Sequence, residues 1–135
     1  MIGEDLYSQI SKAAIELYNT AAEYARSRGV ILADTKFEFG LVPSTTSPAG
    51  KSLILIDELL TPDSSRYWPL SSYSPGGPQP SFDKQYVRDW LVKNGFRKGL
   101  ESGPEGHAGD GWAIEESVVK GTRERYAEAV KLLTE

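Results

Sequence analysis

The sequence predicts an α+β fold in which a small, mostly antiparallel sheet is packed by three main helices. Three segments, residues 5–28, 81–93 and 115–133, repeat their apolar side chains at the three- and four-residue intervals of a helix. Two further segments, residues 31–40 and 53–68, begin with apolar runs of the length expected for strands. The sequence contains no internal repeats.

The first helix is predicted over residues 5–28. Acidic residues Glu4 and Asp5 lie at its start and Arg28 at its end, an arrangement that the helix dipole favours. Gly29 follows, and glycine commonly ends a helix because it adopts the left-handed conformation without a steric penalty. A strand is then expected to begin at Val30.

The first strand segment, residues 31–40, carries charges at alternate positions. Asp34, Lys36 and Glu38 are spaced two residues apart, so in a continuous strand their side chains would project from one face. The opposite face would then supply core residues, namely Ala33, Thr35, Phe37 and Phe39. The pattern predicts a charged surface on one side of the strand.

The second strand segment also combines an apolar run with charges. Asp57 follows four apolar residues, and Asp63 and Arg66 lie in a turn marked by Pro62. Two carboxylate-bearing strands joined by a polar loop can hold a hard cation beside an anionic ligand. The alternative is the solvated face of an amphipathic hairpin.

The remaining segments are predicted as two helices separated by loops. Ser81 is the expected N-cap of the second helix, and Gly121 lies inside the third, where it costs about 1 kcal/mol relative to alanine. Residues 69–80 are rich in proline and residues 98–111 in glycine, so both are expected to be loops, with His107 an exposed bystander. Two strands do not make a stable sheet, so short strands lie within the loops or another part of a larger protein completes it.

Composition bounds the class of protein. A chain of 135 residues is the size of one domain, which we expect to span residues 1–135. The net charge of −4 argues against a general nucleic-acid binder, and no apolar run approaches the length of a membrane span. With no cysteine, thiol catalysis and zinc–thiolate sites are excluded. We expect a cytoplasmic protein, since no secretory signal is visible at the N-terminus.

Four stretches of the chain carry a resemblance to a known family. They read ILADTKFEFG at 31–40, LIDELLTPDSSRYW at 55–68, SFDKQYVRDWL at 81–91 and TRERYAEAVKLL at 122–133. In residue identity, order and spacing they resemble the C-terminal half of SAICAR synthetase, the phosphoribosylaminoimidazole-succinocarboxamide synthase of purine biosynthesis. The resemblance covers nearly the whole chain.

The resemblance implies a two-lobed, ATP-grasp-like architecture of which this chain would be the C-terminal lobe. The family joins L-aspartate to the carboxylate of CAIR, a phosphoribosyl aminoimidazole, and cleaves ATP to ADP and phosphate. The N-terminal nucleotide-binding lobe is absent from this chain, which also has no G-x-x-x-x-G-K-[ST] motif. By the resemblance, the partners would be CAIR, aspartate, ATP and the missing lobe.

The resemblance also implies roles for charged residues. Glu38 and Asp57 would bind Mg²⁺ and, through it, ATP. Lys36 would approach the reacting groups, and Asp34 would orient Lys36 or the substrate. Such carboxylates can equally be surface residues, and Lys36 can be a simple ion-pair partner.

Basic residues would bind the substrates. Arg66 would reach the substrate phosphate, because a guanidinium fork suits phosphate oxygens. Lys84 and Arg88, one helical turn apart, would hold carboxylates of CAIR or aspartate, the alternative being a solvated helix face. Asp63 and Ser65 are expected to shape the turn that presents Arg66.

Two functional hypotheses follow. The chain is either the C-terminal lobe of an ATP- and magnesium-dependent ligase, inactive by itself, or a non-catalytic binding module that kept the fold. Because an apolar surface that meets the other lobe would be uncovered, self-association is also expected.

Overall fold

A computed structural model of the chain describes residues 2–96 and 112–135. The predicted loop at 98–111 and His107 lie outside the described residues. Helices and strands follow one another along the chain as α1 (Glu4–Ser27), β1 (Val30–Asp34), β2 (Glu38–Pro43), β3 (Lys51–Ile56), β4 (Arg66–Pro69), α2 (Gln85–Lys93) and α3 (Glu116–Thr134), with a single 3₁₀ turn at Leu70–Ser72.

The strands of the described residues form two small antiparallel sheets rather than one. Strand β1 pairs with β4, and β2 pairs with β3 as a hairpin. The expectation of one continuous strand over residues 31–40 is therefore wrong. Pairing becomes irregular between Leu32 and Asp34, and the chain leaves the strand conformation before Glu38 begins β2.

Strand β4 is a short strand within a predicted turn, and with it each of the two sheets of the described residues still has only two strands. It overlaps the end of the second strand segment, residues 53–68, where the sequence indicated a turn. This strand pairs with β1. The backbone N–H of Leu70 donates to the Gly29 carbonyl at 2.8 Å, which continues this pairing past the strand end. Four residues are too few to show a clear period of two.

The core lies between α1, the β1–β4 sheet and α3. Its buried members come from each of these elements and from the segment before α2: Ala25, Val30, Leu32, Tyr67, Phe82 and Ala129. The Tyr24 hydroxyl of α1 donates to the Leu133 carbonyl of α3 at 2.7 Å, although this bond is exposed. These contacts hold α1 and α3 together beside the small sheet.

The predicted core face of the first strand is also wrong. Val30 and Leu32 are buried, whereas Ala33, Thr35, Phe37 and Phe39 are only half-buried. Val30 and Leu32 lie on the face that alternation would extend to Asp34, yet Asp34 is exposed, and the strand pairing is irregular between Leu32 and Asp34. A bulge of this kind cannot be seen in a strict alternation of residues.

The helices agree with the sequence prediction except at one start. Helix α1 ends just before Gly29, whose φ of 76° is in the left-handed region. Helix α2 begins at Gln85 instead of after Ser81, because Ser81 and Asp83 bond to each other in a local turn. No helix among residues 2–96 and 112–135 is both long and apolar enough to cross a membrane.

Candidate functional site: a basic and acidic cleft

A cleft of about 380 Å³ is formed by the end of β1, the turn before β4 and the start of α2. Charged and hydroxyl side chains dominate its lining: Asp34, Lys36, Glu58, Asp63, Ser64, Ser65, Arg66, Asp83, Lys84 and Arg88. It brings together five of the seven residues that the sequence singled out. The other two, Glu38 and Asp57, lie next to it and contact Lys36.

Arg66 is positioned by Asp34. The register of β1 against β4 places these residues opposite each other. Nε of Arg66 donates to the Asp34 carboxylate at 2.9 and 3.1 Å, and Nη2 donates to it as well. The hydrogen bond from Arg66 lowers the pKa of Asp34 and the same bond raises the pKa of Arg66, so both are charged at neutral pH. One edge of the guanidinium is held while the rest of it remains beside the cleft.

The first turn of α2 supplies two further cations. The Lys84 ammonium lies 3.4 Å from Oδ1 of Asp63, and Arg88 follows one turn later. Arg88 has no carboxylate within 4.0 Å among residues 2–96 and 112–135. Its charge is still felt across the cleft, where it makes a small contribution to lowering the pKa of Asp34. Within the described residues, Arg88 thus lines the cleft without an ion-pair partner, whereas Arg66 and Lys84 each have one.

Lys36 joins the cleft to a pair of carboxylates. Its ammonium lies 2.5 Å from Oε1 of Glu38 and 3.7 Å from Oδ2 of Asp57. The hydrogen bond to Glu38 raises the pKa of Lys36, with a smaller contribution from Asp57. Glu38 pairs with Ile56 across the β2–β3 hairpin, so Asp57 follows directly beside it. One cation already bridges both carboxylates.

Glu38 and Asp57 suit a magnesium ion that keeps other ligands. Carboxylate oxygens are hard donors, and Mg²⁺ often takes only one or two from the protein and the rest from water and phosphates. In the described part of the chain no three acidic or histidine side chains are grouped to hold a metal. Two carboxylates beside a cleft that contains cations could hold Mg²⁺ together with water or a phosphate.

Two buried side chains, Ser65 and Tyr67, support the turn that leads to Arg66. The Ser65 hydroxyl is within 2.8 Å of the Thr35 hydroxyl, which ties the link between β1 and β2 to the turn before Arg66. The Tyr67 hydroxyl donates to the Leu60 carbonyl at 2.5 Å, and burial raises the pKa of this hydroxyl. The first bond holds the turn before β4 against the link between β1 and β2, and the second holds the same turn against β4.

Asp83 is the principal residue of the cleft to which sequence reasoning gave no role. It is 1% exposed and accepts hydrogen bonds from both β4 and α2. Burial, followed by the carboxylates of Asp63 and Asp83, raises the pKa of the Tyr126 hydroxyl on α3. The only feature of the sequence that could have indicated a role for Asp83 is its position immediately before Lys84. An acidic residue there is also typical of an ordinary helix start.

Comparison with known proteins gives a consistent result. The SAICAR synthetase family matches residues 1–102. The phosphoribosylaminoimidazole-succinocarboxamide synthase of Corynebacterium glutamicum strain R is 53% identical over 135 residues, covering 98% of this chain and 41% of that protein. The structure of SAICAR-synthase from Saccharomyces cerevisiae complexed with SAICAR has a TM-score of 0.77 and 41% identity, over 98% of this chain and 40% of that one.

A more distant structure, a SAICAR synthetase in complex with ADP, shares the fold. It has a TM-score of 0.61 at 24% identity, and the match covers 98% of this chain and 40% of that one. The chain thus spans about two fifths of the length of the curated relatives that it matches. Whatever else those relatives contain lies outside the aligned part.

The fold and the cleft together define an α+β protein with a small cleft lined by four basic and four acidic side chains. The family match covers most of the chain, and the relatives agree with it. This chain belongs to the SAICAR synthetase family.

Proposed function

We propose that this chain is the C-terminal lobe of an ATP-dependent ligase of purine biosynthesis that joins CAIR to L-aspartate and yields SAICAR. The observation that carries the proposal is the single cleft in which Asp34, Lys36, Arg66, Lys84 and Arg88 converge. The names of the relatives and the SAICAR bound to the yeast protein support it. In this role the lobe holds substrate, while the part of the enzyme that the chain does not cover holds most of the nucleotide.

The cations of the cleft are assigned to the two ends of the substrate. Arg66, with one edge already fixed by Asp34, presents its remaining donors to the phosphate of CAIR. Lys84 and Arg88 bind carboxylates of CAIR or of aspartate. Charge stabilisation of this kind is effective because the groups are held in place before the ligand arrives.

Lys36 lines the cleft and contacts both carboxylates of the pair, and Asp34 lines the same cleft bonded to Arg66. Lys36 is kept positively charged by Glu38, so at neutral pH it acts as a fixed cation toward developing negative charge. Asp34 acts through Arg66, which it holds in place. We assign Lys36 to the reacting groups and Asp34 to orientation.

Glu38 and Asp57 are assigned to Mg²⁺, and through it to ATP. When bound, the ion neutralises phosphate charge during phosphoryl transfer. The Lys36 ammonium contacts the same two carboxylates, so it would lie beside an ion held there. The ADP found in a distant relative is in keeping with ATP as the nucleotide. A cytoplasmic location follows from this proposal, because its substrates are intracellular metabolites.

The proposal predicts that the chain alone is inactive and that completing it restores activity. We would assay the 135-residue chain, and the same chain joined to the part of the C. glutamicum relative that it does not cover, with ATP, Mg²⁺, CAIR and aspartate. ADP and SAICAR should form only with the joined enzyme, because the isolated chain lacks the nucleotide-binding lobe. Substitution Arg88→Gln in the joined enzyme should lower kcat/KM by about a hundredfold or more, as expected for a charged ligand contact.

The matched control is Arg123→Gln, which removes an exposed guanidinium from α3 outside the cleft and should leave the rate unchanged. Robust turnover by the isolated chain would contradict the division of labour between the lobes. A folded joined enzyme that makes neither product would instead favour a non-catalytic module that kept the fold.

A further inference from the structure

The carboxylate of Asp83 joins two elements from beneath the cleft. Its Oδ2 accepts a hydrogen bond from the Tyr67 backbone N–H at 3.2 Å and another from the Ser81 hydroxyl. Its Oδ1 accepts one from the Gln85 backbone N–H at 2.8 Å. One oxygen therefore holds β4 and the other holds the start of α2.

The two elements that Asp83 connects are the ones that carry the cations. Arg66 immediately precedes Tyr67 on β4, and Lys84 immediately precedes Gln85 at the start of α2. The Arg88 N–H donates to the Lys84 carbonyl at 3.1 Å, so the position of Arg88 follows that of Lys84. Any shift of α2 against β4 would change the separation between Arg66 and the other two cations.

Asp83 is suited to acting through these neighbours rather than on a ligand. Its side chain is 1% exposed, and both of its oxygens already accept hydrogen bonds from the protein. Burying a carboxylate is costly unless such bonds compensate, so its presence here demands a specific arrangement of donors. An exposed cap at the start of α2 would hold the helix without linking it to β4.

We propose that Asp83 is a positioning residue that sets the spacing between Arg66 on β4 and Lys84 and Arg88 on α2. This spacing matches the cleft to a ligand that carries a phosphate and a carboxylate at the same time. The inference rests on the proposed function, since it concerns how the same cleft selects its substrate.

The test compares a ligand with both anionic groups and a ligand with one. We would titrate SAICAR and ribose 5-phosphate separately into the joined enzyme by calorimetry and take the ratio of their affinities. Asp83→Asn replaces one accepting oxygen by a donor, so the side chain can no longer accept hydrogen bonds from both Tyr67 and Gln85. The backbone bond from the Phe82 N–H to the Tyr67 carbonyl at 2.9 Å is kept, so the connection between β4 and α2 is weakened and the fold is preserved. We expect the ratio to fall about tenfold, the loss of roughly one charge-assisted hydrogen bond, while ribose 5-phosphate binds nearly as before.

Two further variants separate positioning from general stability. Val118→Ala removes a buried core side chain on α3, so it should lower the melting temperature and leave the affinity ratio unchanged. Ser81→Ala keeps the Asp83 carboxylate but removes one of its hydrogen-bond donors, so it should lower the affinity ratio by about threefold. This variant provides the test if Asp83→Asn does not fold.

The outcomes are distinct. A ratio that falls in Asp83→Asn or Ser81→Ala, and not in Val118→Ala, supports the positioning role. If the unmodified joined enzyme binds SAICAR normally and the affinity ratio is unchanged in both Asp83→Asn and Ser81→Ala, the positioning role is overturned and the proposed function stands. An unmodified joined enzyme that binds no SAICAR overturns the proposed function and this inference with it.

Discussion

Asp57 differs from the other carboxylates around the cleft in its backbone. Its φ of 65° is in the left-handed region, which aspartate and asparagine tolerate better than most residues. Leu60, three positions later, has a φ of 58° as well. The chain therefore bends sharply as it leaves β3, and this bend places Asp57 beside Glu38. Such backbone conformations are often found at functional sites.

This geometry decides how the proposed magnesium ligands should be tested. Glu38→Gln and Asp57→Asn remove the charges and preserve side-chain shape, whereas alanine at position 57 would add backbone strain. In the joined enzyme we expect each variant to lose activity by about two orders of magnitude or more, because Mg²⁺ then lacks a charged ligand. The measurement is the rate as a function of Mg²⁺ concentration, with circular dichroism as the check on folding.

Glu23→Gln is the matched control, since Glu23 is an exposed carboxylate on α1 outside the cleft. Its rate and its Mg²⁺ dependence should equal those of the unmodified enzyme. Unmodified rates in both Glu38→Gln and Asp57→Asn would rule out the metal assignment.

Among the elements, α2 and α3 approach closely at Gly121. A Cβ built on this buried glycine would lie 2.9 Å from the Tyr86 hydroxyl oxygen and 3.0 Å from Cε1 of the same ring. The ring cannot move away easily, because the Arg125 guanidinium stacks over it at 3.8 Å and is itself bonded to the Gly121 carbonyl. Gly121 has a low helix propensity, but the close packing of Tyr86 against α3 requires a residue without a side chain at this position.

We therefore expect Gly121→Ala to destabilise the chain although alanine favours helix formation. Overpacking should outweigh the gain in helix propensity and leave a net loss of about 1 to 2 kcal/mol in the free energy of unfolding. Urea denaturation of the 135-residue chain would measure it. The control is Gly77→Ala, where an added Cβ meets nothing within 4 Å, and there the free energy should change by no more than about 0.5 kcal/mol. Equal stability of Gly121→Ala and the unmodified chain would contradict this account of the contact.

The molecule as a whole leaves one element uncovered. The β2–β3 hairpin makes no extensive contact with a helix or with the other sheet in the described residues. Ile54, Leu55 and Ile56 are consecutive in β3 and all are exposed, so apolar side chains are uncovered on both faces of the hairpin. Exposed apolar surface of this extent is typical of an interface.

From this surface we expect the isolated chain to self-associate. Leu41→Lys with Leu55→Lys puts charge on one face of the hairpin and should shift the chain toward monomer, as measured by sedimentation velocity over a range of concentrations. Ile15→Lys with Val92→Lys adds the same charge at exposed apolar positions on α1 and α2 and should leave association unchanged. A chain that is already monomeric at high concentration would contradict the expectation.

Much of the local structure could be predicted from the sequence. Helices α1 and α3 begin and end within a residue or two of the expected positions, because a period of 3.6 repeated over several turns is a strong local signal. Five charged residues of the cleft, namely Asp34, Lys36, Arg66, Lys84 and Arg88, were also singled out from the sequence and its resemblance to the family, whereas Asp83 was not. The start of α2 was missed because Ser81 bonds to Asp83 in a turn, an arrangement that resembles an N-cap in sequence.

The types of the elements, the charged residues and the family are thus set by local chemistry and could be read along the chain. Which strands pair, which face is buried and which charges meet depend on contacts between distant residues. Asp34 and Arg66 face each other across a pairing of strands 32 residues apart, and Asp83 reaches Tyr67 over 16 residues. Local periodicity carries no information about such partners, because packing and backbone hydrogen bonding select them only when the chain has folded.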